Sequence, residues 1–148
     1  MRTAMLLLLL ALPSWFEVFA MDTGTAEPVT GRWYTEAEQE RGATLYATYC
    51  SSCHGSRAEG QPEWEQRNES GYYPAPPLDG TGHSAHHPLS QMLETLDTGG
   101  GAMGGWMPSF VDVLSNDDKR AVIAWIQSLW PSDTYVSWLA VNKNTGED

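Results

Sequence analysis

Apolar residues recur at three- and four-residue intervals in three stretches of the chain, and each stretch predicts an amphipathic helix. In the first, Gly42, Leu45, Tyr46 and Tyr49 define one face. The run opens on Thr35-Glu36-Ala37-Glu38, where Thr35 can accept from the amide three residues on and Glu38 can reach back, a capping box. This helix runs toward Cys50. A shorter one is expected from Pro88 to Thr98, with proline in the first turn, Leu89, Met92, Leu93 and Leu96 on one side, and Gly99 as the stop. The clearest begins at Ser115, a cap followed by Asp117 and Asp118 in the first turn. Val122, Trp125, Ile126 and Leu129 then hold helical spacing until Pro131 ends the run.

Between these elements the periodicity vanishes. Glycines and prolines from Gly55 to Gly82 exclude any long regular element, and a loop of that length needs something to wrap around. The stretch from Gly99 to Pro108 is too glycine-rich for helix or strand. No alternating pattern and no internal repeat is visible, so the fold class is mostly α. Residues 21–34 are expected to be a flexible leader that frays, residues 35–131 the folded domain, and residues 132–148 a C-terminal tail. In that tail Tyr135, Val136, Trp138 and Leu139 would pack loosely, and Asn142 to Asp148 would be mobile.

The first twenty residues stand apart. Met1-Arg2 is a short positive start, Ala4 to Leu12 an unbroken apolar run, and Val18-Phe19-Ala20 a cleavage-site pattern, which together read as a signal peptide removed after Ala20. The rival reading is an uncleaved anchor, but the run falls well short of the ~20 residues a spanning helix needs, and Pro13 and Glu17 interrupt it. The expected location is therefore periplasmic or otherwise exported, with no membrane span in the mature chain.

Charge narrows the partners. The 148 residues carry 8 basic and 19 acidic side chains, a net −11. Removing the signal peptide takes one of each sign and leaves that figure unchanged. Nucleic acid is excluded, because reading phosphates requires a basic surface. With 41% hydrophobic residues and 7 Trp the chain has material for a core, and its length is that of one domain.

The chemistry lies in Cys50-Ser51-Ser52-Cys53-His54, the C-x-x-C-H pattern of c-type haem attachment. Two thiols three positions apart at a helix end reach the two vinyl groups on one porphyrin edge, and the next residue, His54, lies beneath the iron. The competing readings are a structural disulfide, natural in an exported protein, and a thioredoxin-like redox pair. The second needs a βαβ unit that the pattern lacks, and both of the chain's cysteines fall in this one motif.

From this motif the chain resembles the class I c-type cytochromes. The likeness runs from Trp33 to Pro131: a capped helix with Gly42 and Tyr46, the Cys50 to His54 motif followed by Gly55, a Pro76-Pro77-Leu78 turn, a Met107-Pro108-Ser109-Phe110 loop, and a last helix bearing Trp125. It implies a cytochrome c fold of three to five helices around one haem c, held through Cys50 and Cys53, with His54 and Met107 as axial ligands. A Met thioether there raises the reduction potential relative to a second His. Met103, in the same flexible loop, competes for that position, and Met92 reads as core filler. The resemblance also implies that a proline carbonyl, Pro76 or else Pro77, holds the other nitrogen of His54, and that Leu78 faces the porphyrin. Tyr46 and Trp125 would then meet where the two terminal helices cross.

Other residues carry less. His83, His86 and His87 form H-x-x-H-H, close enough to share copper or zinc, but an exposed loop needs no metal to explain them. Trp64, Tyr72 and Tyr73 would pack the long loop against the body. Two functions follow: a monohaem electron carrier rather than an enzyme, or an enzymatic role, either as the haem c subunit of an oxidoreductase complex or as a haem protein whose open iron site binds a small ligand. The expected partner of the carrier is a redox protein with a basic docking patch, matched to the acidic charge.

Overall fold

The computed structural model describes Val29 and residues 31–144. The signal peptide, nearly all of the leader and the last four residues of the tail lie outside the described residues. Five helices follow one another: α1 (Glu36–Tyr49), α2 (Ser51–His54), α3 (Leu89–Thr98), α4 (Asn116–Ser128) and α5 (Ser132–Asn144). Two 3₁₀ turns, Ser84–His86 and Gly101–Met103, sit in the connections. The described residues contain no strand, only an isolated bridge between Tyr73 and Gly105.

Both long sequence-predicted helices start where their caps place them. The Thr35 hydroxyl accepts from the Glu38 amide while the Glu38 carboxylate accepts from the Thr35 amide, and Ser115 and Asp118 repeat the arrangement on α4. Each box satisfies amide groups that a helix end otherwise leaves without partners. Gly99, with φ of +77°, closes α3 as its position predicts.

α1 crosses α4, and Gly42 sets the distance. A Cβ at this position would lie 1.9 Å from the carbonyl oxygen of Ala121 and 2.9 Å from Cβ of Trp125, so only hydrogen fits. The close approach brings the rings of Tyr46 and Trp125 to 4.1 Å between centroids. Arg41 of α1 pairs with Asp118 of α4 at the rim of the crossing. Below it, Tyr46, Val122, Ile126, Trp130, Tyr135 and Trp138 form one buried cluster, and Leu96, Phe110, Leu114 and Ile123 a second. The buried Lys119 ammonium is matched by Asp97 at the end of α3, which removes the cost of an unpaired interior charge.

Two expectations fail at the ends. The tail is not loosely packed: residues 132–144 form α5, which buries Tyr135 and Trp138, with the Trp138 indole donating to the His87 carbonyl at 2.9 Å. Asn142 is likewise anchored, its side chain accepting from the Leu89 amide at the start of α3. Pro131 ends α4 but starts a corner, and three apolar aromatic or aliphatic residues beyond it are enough to dock a further helix. The last residues of the leader do not fray either. Tyr34 is 1% exposed, the Trp33 indole donates to the side chain of the buried Gln127, and the Arg32 guanidinium lies 3.7 Å over the Tyr135 ring. A helix-only reading missed this because the contacts are long-range and fall on a segment without periodicity.

Replacing glycine by alanine inside a helix ordinarily stabilises it. At Gly42 the sign reverses: Gly42→Ala should lower the unfolding free energy by about 2 kcal/mol, because backbone must move to admit the methyl group. Urea denaturation of the two proteins checks this.

Candidate functional site

α1 ends at Tyr49, and the chain turns at once into the single turn of α2, which carries Cys53 and His54, with Cys50 at its N-cap. The change of direction aims these side chains into one cavity of about 660 Å³. Its wall contains every sequence-predicted site residue: Cys50, Cys53, His54, Pro76, Leu78 and Met107. The volume is that of a cofactor site rather than of a metal ion, and the wall is mostly apolar.

His54 is 9% exposed, and its Nδ1 lies 2.9 Å from the Pro76 carbonyl oxygen. A carbonyl can only accept, so Nδ1 carries the proton and Nε2 keeps the lone pair a metal needs. Burial holds the imidazole below the usual histidine range, against the smaller opposite pull of the Pro76 bond, and so favours the neutral form. Of the two prolines left open by sequence, this geometry selects Pro76. Gly60 makes it possible: φ is +73° there, and a Cβ would fall 2.4 Å from the Pro77 nitrogen.

Leu78 is fixed from both sides. Its amide donates to the Ala58 carbonyl at 2.7 Å, and its carbonyl accepts from the Trp130 indole at 2.8 Å. Ala58 is fully buried with φ of +63°, a conformation that L residues seldom adopt, and its carbonyl also receives the Asp79 amide. Nothing in the local pattern marks Ala58, since alanine carries no turn signature.

The cysteines are free rather than joined in a disulfide. Burial, with Cys53 adding to it, pushes the Cys50 thiol up to about 11. A thioredoxin-like pair depends on the opposite, a lowered thiol that is ionised near neutrality. The geometry thus favours a Cys50 thiol held protonated beside a cavity over a redox-active pair.

All three candidate methionines reach the cavity wall. Met103 is 57% exposed in its 3₁₀ turn, whereas Met107 packs against the cluster of Leu96, Phe110, Leu114 and Ile123. The Met107 carbonyl accepts from the Gly100 amide at 3.0 Å, and a Cβ on Gly99 would come within 2.5 Å of that same oxygen. The glycines therefore let the Met107-Pro108 segment lie directly on the end of α3. Met92 packs against both core clusters, as core filler does.

The histidine segment is divided. His83 and His87 line the cavity, whereas His86 faces a smaller hollow that it shares with Asp133 of α5. Among the described residues no group of three or more His, Cys, Asp or Glu side chains is placed to hold a metal ion. Trp64 lies against His83, while Tyr72 stacks at 6.1 Å on Trp106, which is 84% exposed. All three aromatics of the loop line the cavity, and the Tyr73 amide also donates to the Gly104 carbonyl at 3.0 Å.

The Tyr46 hydroxyl donates to the Gly55 carbonyl at 2.8 Å, tying the helix crossing to the turn after His54. Burial keeps this phenol neutral far into the alkaline range. Tyr46→Phe removes the stronger of the two donors on that carbonyl, leaving the Ala58 amide at 3.2 Å, and should cost about 1 kcal/mol in urea unfolding.

The comparisons with known proteins bear on the same stretch. A family model described as "Cytochrome C oxidase, cbb3-type, subunit III" matches residues 37–126, from the first turn of α1 to near the end of α4. A search of curated proteins gives no match. More than half of the sequence lies inside the family match, including both crossing helices and the whole turn between them. On that footing the chain belongs to the cytochrome c oxidase, cbb3-type, subunit III family and is a c-type cytochrome.

Proposed function

We propose that this protein is an exported monohaem electron carrier, with haem c bound through Cys50 and Cys53 and with His54 and Met107 as the axial ligands. The observation that carries the reading is the His54–Pro76 bond within a cavity whose wall also bears both free thiols. A disulfide or a thiol redox site has no use for an imidazole held in this way. The haem supplies one-electron chemistry between two iron oxidation states. The chain's own part is to fix the tautomer of His54, to offer a thioether from Met107, and to line the cavity with Leu78, Phe110 and Ile126 so that water is excluded. No helix among the described residues is long and apolar enough to cross a membrane.

The family's printed name supports a second reading, in which the same site is the haem c subunit of an oxidase complex. The two share their ligands and differ in whether the domain works alone or in an assembly. A third, a site open to small ligands, differs at Met107.

Protein produced with a haem-attachment system should keep its haem through extraction with acidified acetone, and loss of the haem there overturns the reading. The oxidised protein should show the weak far-red charge-transfer band of thioether ligation, and Met107→Ala should abolish it. If the band survives in that variant, Met103 is the ligand. Rapid binding of carbon monoxide to the untreated reduced protein would instead favour the open site.

Electron transfer with a basic redox partner should slow as salt is added, since screening at a Debye length of about 8 Å weakens steering of a chain with net charge −11. Stopped-flow rates across a salt series check this, and a flat series removes the basic patch from the expected partner.

A further inference from the structure

The cavity wall contains no lysine and no arginine. Haem carries two carboxylates, and a chain of net charge −11 must place them somewhere. Arg67, in the loop over the cavity, is not part of the wall: its guanidinium donates to the Gly71 carbonyl and lies 4.5 Å from the Tyr73 ring centroid. Besides His54, the imidazoles in the wall are those of His83 and His87, whose rings lie 5.7 Å apart. Between them in sequence, Ser84 also lines the cavity, and its hydroxyl is buried without a hydrogen-bond partner. An orphaned donor beside two imidazoles is the arrangement that a carboxylate completes.

Resting on the haem reading above, we propose that His83, Ser84 and His87 form the rim that receives the haem carboxylates, and that protonation of this imidazole pair makes the reduction potential depend on pH. The segment is built to hold its place. Trp64 lies against His83, the His87 ring meets the Gln91 side chain at 3.0 Å, and the His87 carbonyl receives the Trp138 indole. The titratable groups facing the pair are each other, His86 beside them, and Glu65, the single carboxylate in the cavity wall; from α5, Asp133 faces His86 instead. Burial, with His87 and His86 adding to it, holds His83 below the usual histidine range. Two carboxylates at the rim act in the opposite direction and bring its titration back toward neutral pH.

The proton and the electron are then coupled. One electron arriving from a redox partner lowers the charge of the site by one, and an imidazole of the pair takes up a proton from water. On oxidation the electron leaves for the partner, and the proton returns to water. A protonated imidazole disfavours the more positive oxidised state, so the potential is higher at low pH and falls as the pair loses its protons.

The test is potentiometry of the haem-loaded protein from about pH 5 to about pH 9, spanning histidine titration. The wild type should show a falling potential; His83→Gln and His87→Gln should each reduce the fall, the double variant should abolish it, and His86→Gln should retain it, since that ring lies outside the cavity. A pH-independent wild type, or a double variant with the wild-type slope, overturns the proposal. If the double variant does not fold, NMR titration of His83 in the wild type decides: its pKa must be higher in the reduced than in the oxidised protein, and equal values overturn the proposal. Haem retention through acidified acetone is scored first, so that loss of haem removes both readings, whereas retained haem with a flat potential removes only this one.

Discussion

Where α1 passes over α4 there is room for no side chain at Gly42, and that contact fixes most of what lies beneath it. With the two backbones this close, Tyr46 and Trp125 are pressed into a single layer, and the Tyr46 hydroxyl reaches only as far as the Gly55 carbonyl. The turn that carries Cys50, Cys53 and His54 is thus suspended from the helix crossing by a covalent link on one side and a hydrogen bond on the other. Shifting the crossing outward would swing all three side chains out of the cavity together. A haem protein of this size has few other ways to hold a large cofactor space open, because its core must be built beside that space rather than through it.

The wall opposite the crossing has a different construction. It contains no long helix, and its order comes from hydrogen bonds that tie loop carbonyls and amides to distant positions: the Ala58 carbonyl to the Leu78 amide, the Pro76 carbonyl to the His54 ring, the Met107 carbonyl to the Gly100 amide. Each bond runs to a carbonyl or amide next to a residue that faces the cavity, so loop conformation and site geometry are specified by the same contacts. The Trp130 indole, at the end of α4, locks one of these loops to the helical half through the Leu78 carbonyl. A loop without periodicity is in this way made as definite as a helix.

The division between what was legible in the sequence and what was not follows the range of the interactions. Caps, helical faces and stops are local, so Thr35, Ser115 and Gly99 marked their elements correctly. The C-x-x-C-H spacing is also local, and its Cys50, Cys53 and His54 all line the cavity. The choice of Pro76 over Pro77 depended on a register twenty-two residues from His54, which only the folded chain supplies. The α5 helix was misread because Tyr135 and Trp138 show no strong amphipathic face of their own; they are buried by Trp130 across the Pro131 corner and by His87 and Arg32, which are distant in sequence. The ends of the domain were therefore the least legible part.

The anchoring of Val29 and residues 31–34 has a mechanical meaning. The Val29 amide donates to the Tyr34 carbonyl and the Arg32 amide to the Val29 carbonyl, which closes a tight turn, and Arg32 and Trp33 then clasp α4 and α5 at Gln127 and Tyr135. None of these residues lines the cavity. A pull on the chain from upstream of Val29 is borne by the seam between the last two helices, and the cavity wall carries none of that load directly.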